Sequence, residues 1–478
     1  MNSKKLLVYF TLWGIFSFQG LARNNNPEEI VLSIGVVSDT HIAARGAACE
    51  KFRNALQQLQ AKALETNPQG LSAVCIAGDL INNAYRDAKY YPEEIALFKD
   101  SYEKILDPEQ VPLVYCTGNH DVPGQWRTSS LTEARSLSNG LGERYFKAMD
   151  KGLSRPDLDC RHYIVGDYHF LAATPTGMED GNSSFCSDVC NWLDTTLRSL
   201  TCVAPDRYVF VLVHPMLYET VYGSNLKLGT TSWYTRDLTP ILEKYPQTVT
   251  FGGHLHFPLN DPRSIMQESF TSIGCASVSY MAIENGGYEN MSSATVMKDA
   301  HQFSQGWLIE MDASGNMNLT RMDFYNTAVI GEPFDLPKPD GIAHLAKYSR
   351  AAREAANSAP KANLNIGIAL TEGNVTLDFA SFEDDEFVHD YTVTIWGGGE
   401  IIAQKRILAD FYRHPDTKDM MPSHSVTFDI SKFEEGGLFT AEIKATDSWG
   451  ASASAFASFK IDKKGTLRQK SAKAPSTN

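Results

Sequence analysis

Positive charge is in short supply in this chain: 43 Lys and Arg against 57 Asp and Glu leave a formal net charge of −14 over 478 residues. Such a chain lacks the field that draws nucleic acid or an anionic membrane to a protein without sequence preference. Long apolar runs are missing too, since apart from the mainly apolar residues 6–18 no stretch approaches a membrane span. The eight cysteines fall into no zinc-binding spacing, and none directly follows the 6–18 stretch, which argues against a zinc module and a lipoprotein amino terminus. Lys4-Lys5, the apolar stretch and Gly20-Leu21-Ala22 have the layout of a secretory signal with a small-x-small exit. Residues 1–22 are therefore expected to be a signal peptide and the protein to be exported, with no integral membrane span after cleavage. An uncleaved anchor is the alternative.

What the chain does have is a set of oxygen- and nitrogen-bearing side chains in five short segments: Asp39-Thr40-His41, Gly78-Asp79, Gly118-Asn119-His120-Asp121, His214 and Gly253-His254-Leu255-His256. Carboxylate, imidazole and amide oxygen are ligands that hard or borderline divalent ions accept. Two such ions about 3.5–4 Å apart can hold both the attacking and the leaving oxygen of a displacement at phosphorus. No thiolate enters the set, so two divalent ions drawn from Mn, Fe or Zn are expected.

Each segment follows an apolar run, at residues 31–37, 73–77, 112–116, 208–213 and 248–251, that reads as a strand covered on both faces. Between the first two runs, Phe52, Leu56, Leu59 and Ala63 recur at helical spacing. Between the second and third, Pro92 stands where a helix can start, and Ile95, Phe98, Tyr102 and Ile105 follow on one face. Strands alternating with helices predict βαβ units, whose ligands gather at the carboxyl ends of the strands. Asp39 and His41, two apart on a segment read as extended, would point to the same side.

The order D-x-H, GD, GNHD, H and GHxH resembles the calcineurin-like metallophosphoesterases over about residues 30–325. Residues 168–174, and 188–197 around Trp192-Leu193, are similar to a strand and short helix of that family. The resemblance implies an α/β fold, a four-layer αββα sandwich, for residues 30–328. It implies that Asp39, His41, Asp79 and His256 hold one ion and that Asp79, Asn119, His214 and His254 hold the other. Asp79 would bridge, as two carboxylate oxygens allow, and a water or hydroxide between the ions would attack phosphorus. His120 resembles an outer-face histidine that stabilises or protonates the departing oxygen. Asp121 would either orient that imidazole or cap the following turn.

Where the purple acid phosphatases carry the tyrosine of GD-x-x-Y, this chain has Asn82, with Tyr85 out of register. The D-x-H opening and GNHD are closer to the phosphodiesterase branches. Arg45, Arg86 and Arg127 are the arginines nearest the motifs, each either a phosphate contact or an ordinary surface residue. The loops 122–141 and 218–237 carry Trp126, Tyr222 and Trp233, which could stack on a base or line a lipid cleft. The expected substrate is a small phosphoester, phosphodiesters favoured. The alternatives are monoester or pyrophosphate hydrolysis, or a non-catalytic metal-binding surface protein. The oligomeric state is left open.

Cys75 and Cys116 read as small core residues, whereas Cys160, Cys186, Cys190 and Cys202, all read as lying outside the central strands, are disulfide candidates. Residues 331–360, with Pro333, Pro337 and Pro339, read as a linker ending in a short helix. Short alternating runs at 375–379, 391–396, 426–430, 439–445 and 453–461 predict a second, smaller all-β sandwich over 361–462, resembling immunoglobulin or fibronectin type III modules. It carries no catalytic set, and its expected role is packing against the first domain or binding a surface or glycan. The Lys-rich tail 463–478 is expected to be disordered.

Overall fold

The computed structural model describes residues 28–123, 137, 139–179, 182–224, 234–371, 373–434, 436–462 and 466–469. The candidate signal segment and Trp126, Arg127 and Trp233 lie outside them.

Side-chain alternation along the strands assembles four layers. In Ala73–Ala77 and Leu113–Cys116, the side chains of Ala73, Cys75, Ala77, Val114 and Cys116 face inward. They meet Phe170, Ala172, Phe210, Leu212, Val249 and Phe251 of a second sheet. The opposite face, with Val74, Ile76, Leu113 and Tyr115, is covered by the helices Ala48–Ala63 and Tyr91–Glu103 through Phe52, Leu56, Leu59, Phe98 and Tyr102. On the far side of the second sheet, Leu171, Val209, Val211 and Val213 pack under the helix Ser187–Val203 through Val189, Trp192, Leu193 and Leu197. The result is an αββα sandwich. Deleting a side chain such as Phe52, fully buried between layers, would cost about 3–5 kcal/mol.

Strand direction positions the site. Ile30–Val37, Ala73–Ala77 and Leu113–Cys116 are mutually parallel in the first sheet. Tyr168–Ala173, Val209–Leu217, Thr248–Gly253 and Thr271–Gly274 are parallel in the second. All five motif segments therefore lie at or close to the carboxyl ends of parallel strands. His214 departs slightly from expectation: it sits inside Val209–Leu217 rather than after it. No helix among the described residues is long and apolar enough to cross a membrane.

The segment read as a linker contributes structure of its own, since Phe334–Leu336 adds an antiparallel strand to Met317–Asp323 of the first sheet. Beyond it, Ile366–Thr371, Asn374–Ala380 and Ser423–Asp429 form one antiparallel sheet. Glu400–Leu408, Val388–Gly397, Leu438–Asp447, Ser452–Ile461 and Leu467–Gln469 form another. Ile366–Thr371, Glu400–Leu408 and Leu467–Gln469 are not among the runs read from the sequence. Glu400–Leu408 is an edge strand of mixed burial, exposed at Glu400, Ile401 and Gln404, and Leu467–Gln469 falls in the tail expected to be disordered. There its main chain pairs with Phe459–Ile461, and the Gln469 amide donates to Ile366 O at 2.6 Å.

This all-β portion is joined to the αββα portion by buried polar contacts. The Glu284 carboxylate accepts from the Tyr222 hydroxyl (2.5 Å) and the Tyr288 hydroxyl (2.7 Å), and His389 lies between Glu284 and Asp390. Tyr222 is a buried residue of this seam, its hydroxyl engaged by Glu284 and His389. All eight cysteines are free thiols, and Cys160 begins the strand Cys160–Val165, next to the edge of the second sheet, and is buried. Burial pushes its thiol pKa up, as it does for Cys75, and makes both inert.

Candidate metal centre

Beyond the strand ends the motif loops pair with one another. The amides of Asp39, His41 and Ile42 donate to the carbonyls of Gly78 (3.1 Å), Asp79 (3.0 Å) and Leu80 (2.9 Å), and the Thr40 hydroxyl donates to Leu80 O. Asp39 (φ 52°), His41 (φ 45°), Asp79 (φ 53°), His254 (φ 68°) and His256 (φ 57°) all occupy the left-handed region. The extended reading of Asp39–His41 is thus incorrect: their side chains converge because the backbone coils left-handed there, not through strand alternation. Such conformations cost on the order of 1–3 kcal/mol each and persist where the surroundings enforce them, commonly at functional sites.

Each carboxylate divides its labour. Asp39 Oδ2 accepts from Ser38 Oγ (2.6 Å) and from the His254 amide (2.9 Å), while Oδ1 faces Nε2 of His256 (2.9 Å), His41 (3.7 Å) and His214 (4.0 Å). Asp79 Oδ1 accepts from the His120 amide (2.8 Å), while Oδ2 faces Nε2 of His214 (3.3 Å) and of His41 (3.8 Å). Oδ2 of Asp79 thus stands between the two groups of ligands.

The imidazoles are oriented from behind. Main-chain carbonyls only accept, so Nδ1–H of His214 donates to Ala77 O (2.7 Å) and Nδ1–H of His256 to Tyr280 O (3.1 Å). Both rings then turn the Nε2 lone pair inward, the arrangement metal-binding histidines adopt. Nε2 of His214 lies 3.0 Å from Asn119 Oδ1 and that of His41 3.4 Å from His256 Nε2, close approaches of acceptors that a cation between them relieves. Asp39, His41 and His256 form one group whose ligand atoms all lie within 4.8 Å of one another, Asp79, His214 and His254 form a second, and His41, Asp79 and His120 a third that shares members with both.

Electrostatics agree with this donor set. Burial opposes the charge on Asp39, but His256 and His214 outweigh it and bring its pKa down to about 2. Asp79 is held well below the usual carboxylate range against the same penalty, chiefly by His214 and His120. Burial also opposes the charge on His214, yet Asp79 and Asp39 raise it to about 9. Burial and a neighbouring imidazole push His41 and His254 down to about 3. Two charged carboxylates, an amide oxygen and imidazole nitrogens in a buried rim are a donor set that divalent cations accept.

The motif glycines are required by close approach. A Cβ on Gly78 would stand 2.3 Å from His214 Nδ1, one on Gly118 2.1 Å from Asp79 Oδ1, and one on Gly253 1.9 Å from Ser38 Oγ. The ligands pack directly on these glycine backbones.

His120 and Asp121 are less alike than their adjacency suggests. Nδ1–H of His120 donates to Asn82 O (2.9 Å), and its ring stands 4.5 Å, edge-on, from that of His41. The expectation that Asp121 orients this imidazole is not met. Its Oδ1 accepts from the Ile81 amide (3.0 Å) and its Oδ2 from the Gly118 amide (2.8 Å), so it clamps the loop after Asp79 to the one carrying Asn119. Burial, then the charge of Asp79, pushes its pKa well above the carboxylate range. Two residues beside the site were missed. Tyr85 lies 4.5 Å from His120 between ring centroids, and Tyr280 lies 4.3 Å from His256. Tyr85, set aside as out of register, could have been noticed from its nearness to Asp79. Nothing in the pattern around Tyr280 announces it. Arg86 stacks on Tyr85 and donates to its hydroxyl at 2.6 Å.

No curated protein matches the chain in sequence. Among solved structures, a dimetal phosphatase from Danio rerio is similar to it at 13% identity and a TM-score of 0.45, covering 65% of this chain and 100% of that one. A purple acid phosphatase from yellow lupin (Lupinus luteus) seeds is similar at 16% identity and a TM-score of 0.44, covering 66% of this chain and 55% of that one. Residues 32–258 match the family model of the calcineurin-like phosphoesterases, a span that contains every candidate ligand from Asp39 to His256.

Proposed function

We propose that this protein is an exported phosphoester hydrolase working with two divalent ions, with phosphodiesters its favoured substrates. The observation that carries the proposal is the meeting of two donor groups, Asp39-His41-His256 and Asp79-His214-His254, with Asn119 beside His214. Bound there, divalent ions would lower the pKa of water and offset charge on the phosphoryl oxygens. Asp39, His41, Asp79 and His256 would hold one, and Asp79, Asn119, His214 and His254 the other. His120 fits the proton donor to the departing oxygen. With Nδ1–H fixed on Asn82 O, its Nε2 is the nitrogen left to carry and release a proton. Asp121 serves as a positioning residue that holds the two loops in register. The rings of Tyr85 and Tyr280 offer surface for a second ester substituent, which supports the diester preference.

Metal analysis and kinetics on one preparation test this. Fewer than one ion per chain after gentle purification, with no activation by Mn, would sink the two-ion assignment. With Mn supplied near neutral pH, kcat/KM for bis-(p-nitrophenyl) phosphate is expected to be at least comparable to that for p-nitrophenyl phosphate. A monoester preference of about a hundredfold, close to 3 kcal/mol, would move the assignment to a phosphatase. Amino-terminal sequencing of the mature protein, expected to begin near Arg23, tests export.

A further inference from the structure

We infer that Tyr280 is a substrate-contacting residue of this site, donating its hydroxyl to a phosphoryl oxygen. The inference rests on the phosphoester reading above and extends it to a residue outside the ligand motifs.

Three observations carry it. The first is position: the Tyr280 ring lies 4.3 Å from that of His256 and 5.7 Å from that of His41, between ring centroids. It therefore covers one group of candidate ligands. The second is an unanswered donor, because the hydroxyl of this half-buried residue has no hydrogen-bond partner among the described residues. Buried tyrosines that only pack usually engage their hydroxyl, as Tyr91, Tyr102 and Tyr208 do here with the carbonyls of Asp121, Val111 and Pro337.

The third is rigidity. The chain around Tyr280 is tied to the ligand loops on both sides. The Val278 amide donates to Ser38 O (3.1 Å), the Ser277 hydroxyl to Asp39 O (3.2 Å) and the Ala282 amide to His256 O (3.1 Å), while Tyr280 O itself receives His256 Nδ1–H. From outside, the Lys51 ammonium spends its three protons on the carbonyls of Ser279 (2.5 Å), His301 (2.8 Å) and Phe303 (2.7 Å). A loop fixed at this many points presents its side chain in one place. A hydroxyl so presented, without a protein acceptor and beside a cation-binding cluster, suits an anionic oxygen bound at that cluster. Phosphoryl oxygens are that ligand.

Tyr280→Phe keeps the ring and removes the donor. In metal-loaded protein, the Phe variant is expected to keep the wild-type metal content and unfolding temperature. It should bind inorganic phosphate about ten- to a hundredfold more weakly by calorimetry, the range for a hydrogen bond to a charged group, and lose a similar factor in kcat/KM. Phosphate affinity equal to wild type would overturn the inference, as would loss of metal content, which would mark the hydroxyl as a support for His256. A wild-type protein that binds phosphate through Tyr280 but turns over no phosphoester would instead refute the hydrolase reading and leave this assignment standing.

Discussion

Adding one methyl group at Gly118 should disassemble the metal centre. A Cβ there would lie 2.1 Å from Asp79 Oδ1 and 2.2 Å from the Asp79 amide nitrogen, distances real Cβ atoms essentially never show. Relief needs a displacement of about 1 Å to restore ordinary contact. The nitrogen cannot yield alone, because Gly78 O and Asp79 O are bonded to the amides of Asp39 and His41. The carboxylate can yield only by leaving its place between the ligand groups. Gly118 does not have a left-handed φ, so alanine suits its backbone and the effect is steric alone. Overpacking of this kind costs about 1–3 kcal/mol in stability. A shift of about 1 Å in a reacting group costs on the order of a hundredfold in rate. Gly118→Ala is therefore expected to carry less than its full complement of metal by elemental analysis, to lose at least about a hundredfold in kcat/KM and to unfold at lower temperature. Gly142→Ala is the control: φ is 88° and ψ 160°, a conformation essentially confined to glycine, with nothing within 4 Å of the added Cβ, so it should lose about 1–3 kcal/mol of stability and keep metal and turnover. Gly118→Ala with wild-type metal content and kcat/KM would refute the packing argument.

Ligation and proton transfer should separate by mutation. Asp79→Asn is expected to weaken both ions and abolish turnover, and retention of two tightly held ions after dialysis would contradict its place between the groups. His120→Asn should keep the ions yet lose about 10²–10⁴-fold in turnover, most with poor leaving groups; normal turnover of a poor leaving group would remove its assigned role. In the all-β portion, burial raises the Asp384 carboxyl to about 6, and its Oδ2 has no hydrogen-bond partner. Because the folded-state pKa lies above the ordinary 3.8, its contribution to stability is complete below that value and is lost as pH rises through 6. Asp384→Asn should therefore gain stability relative to wild type at pH 7 and not at pH 3, read as the urea midpoint at each pH.

The ligand set and its strands were legible in the sequence because both are local. Apolar runs bounded by turn residues mark Ala73–Ala77 and Thr248–Gly253 almost to the residue, and ligands of the right chemistry follow them. The helical faces of Phe52-Leu56-Leu59 and Ile95-Phe98-Tyr102 were read from spacing alone and lie buried as expected. What required tertiary structure is whatever depends on distant segments meeting. The left-handed turns at Asp39 and His41 leave no mark in a hydropathy pattern, since pairing with the 78–80 loop imposes them. Asp121 and His120 are neighbours in sequence, yet main-chain geometry sends one to the Ile81 and Gly118 amides and the other to the Asn82 carbonyl. Tyr222 and Tyr280 look alike as aromatic loop residues. One is spent on the seam with Glu284 and His389, and the other is carried by a loop pinned through Lys51 to the edge of the site. Residue type and period determine which groups can bind and which faces are buried; contacts between segments far apart in the chain decide where each group points and what it is left free to do.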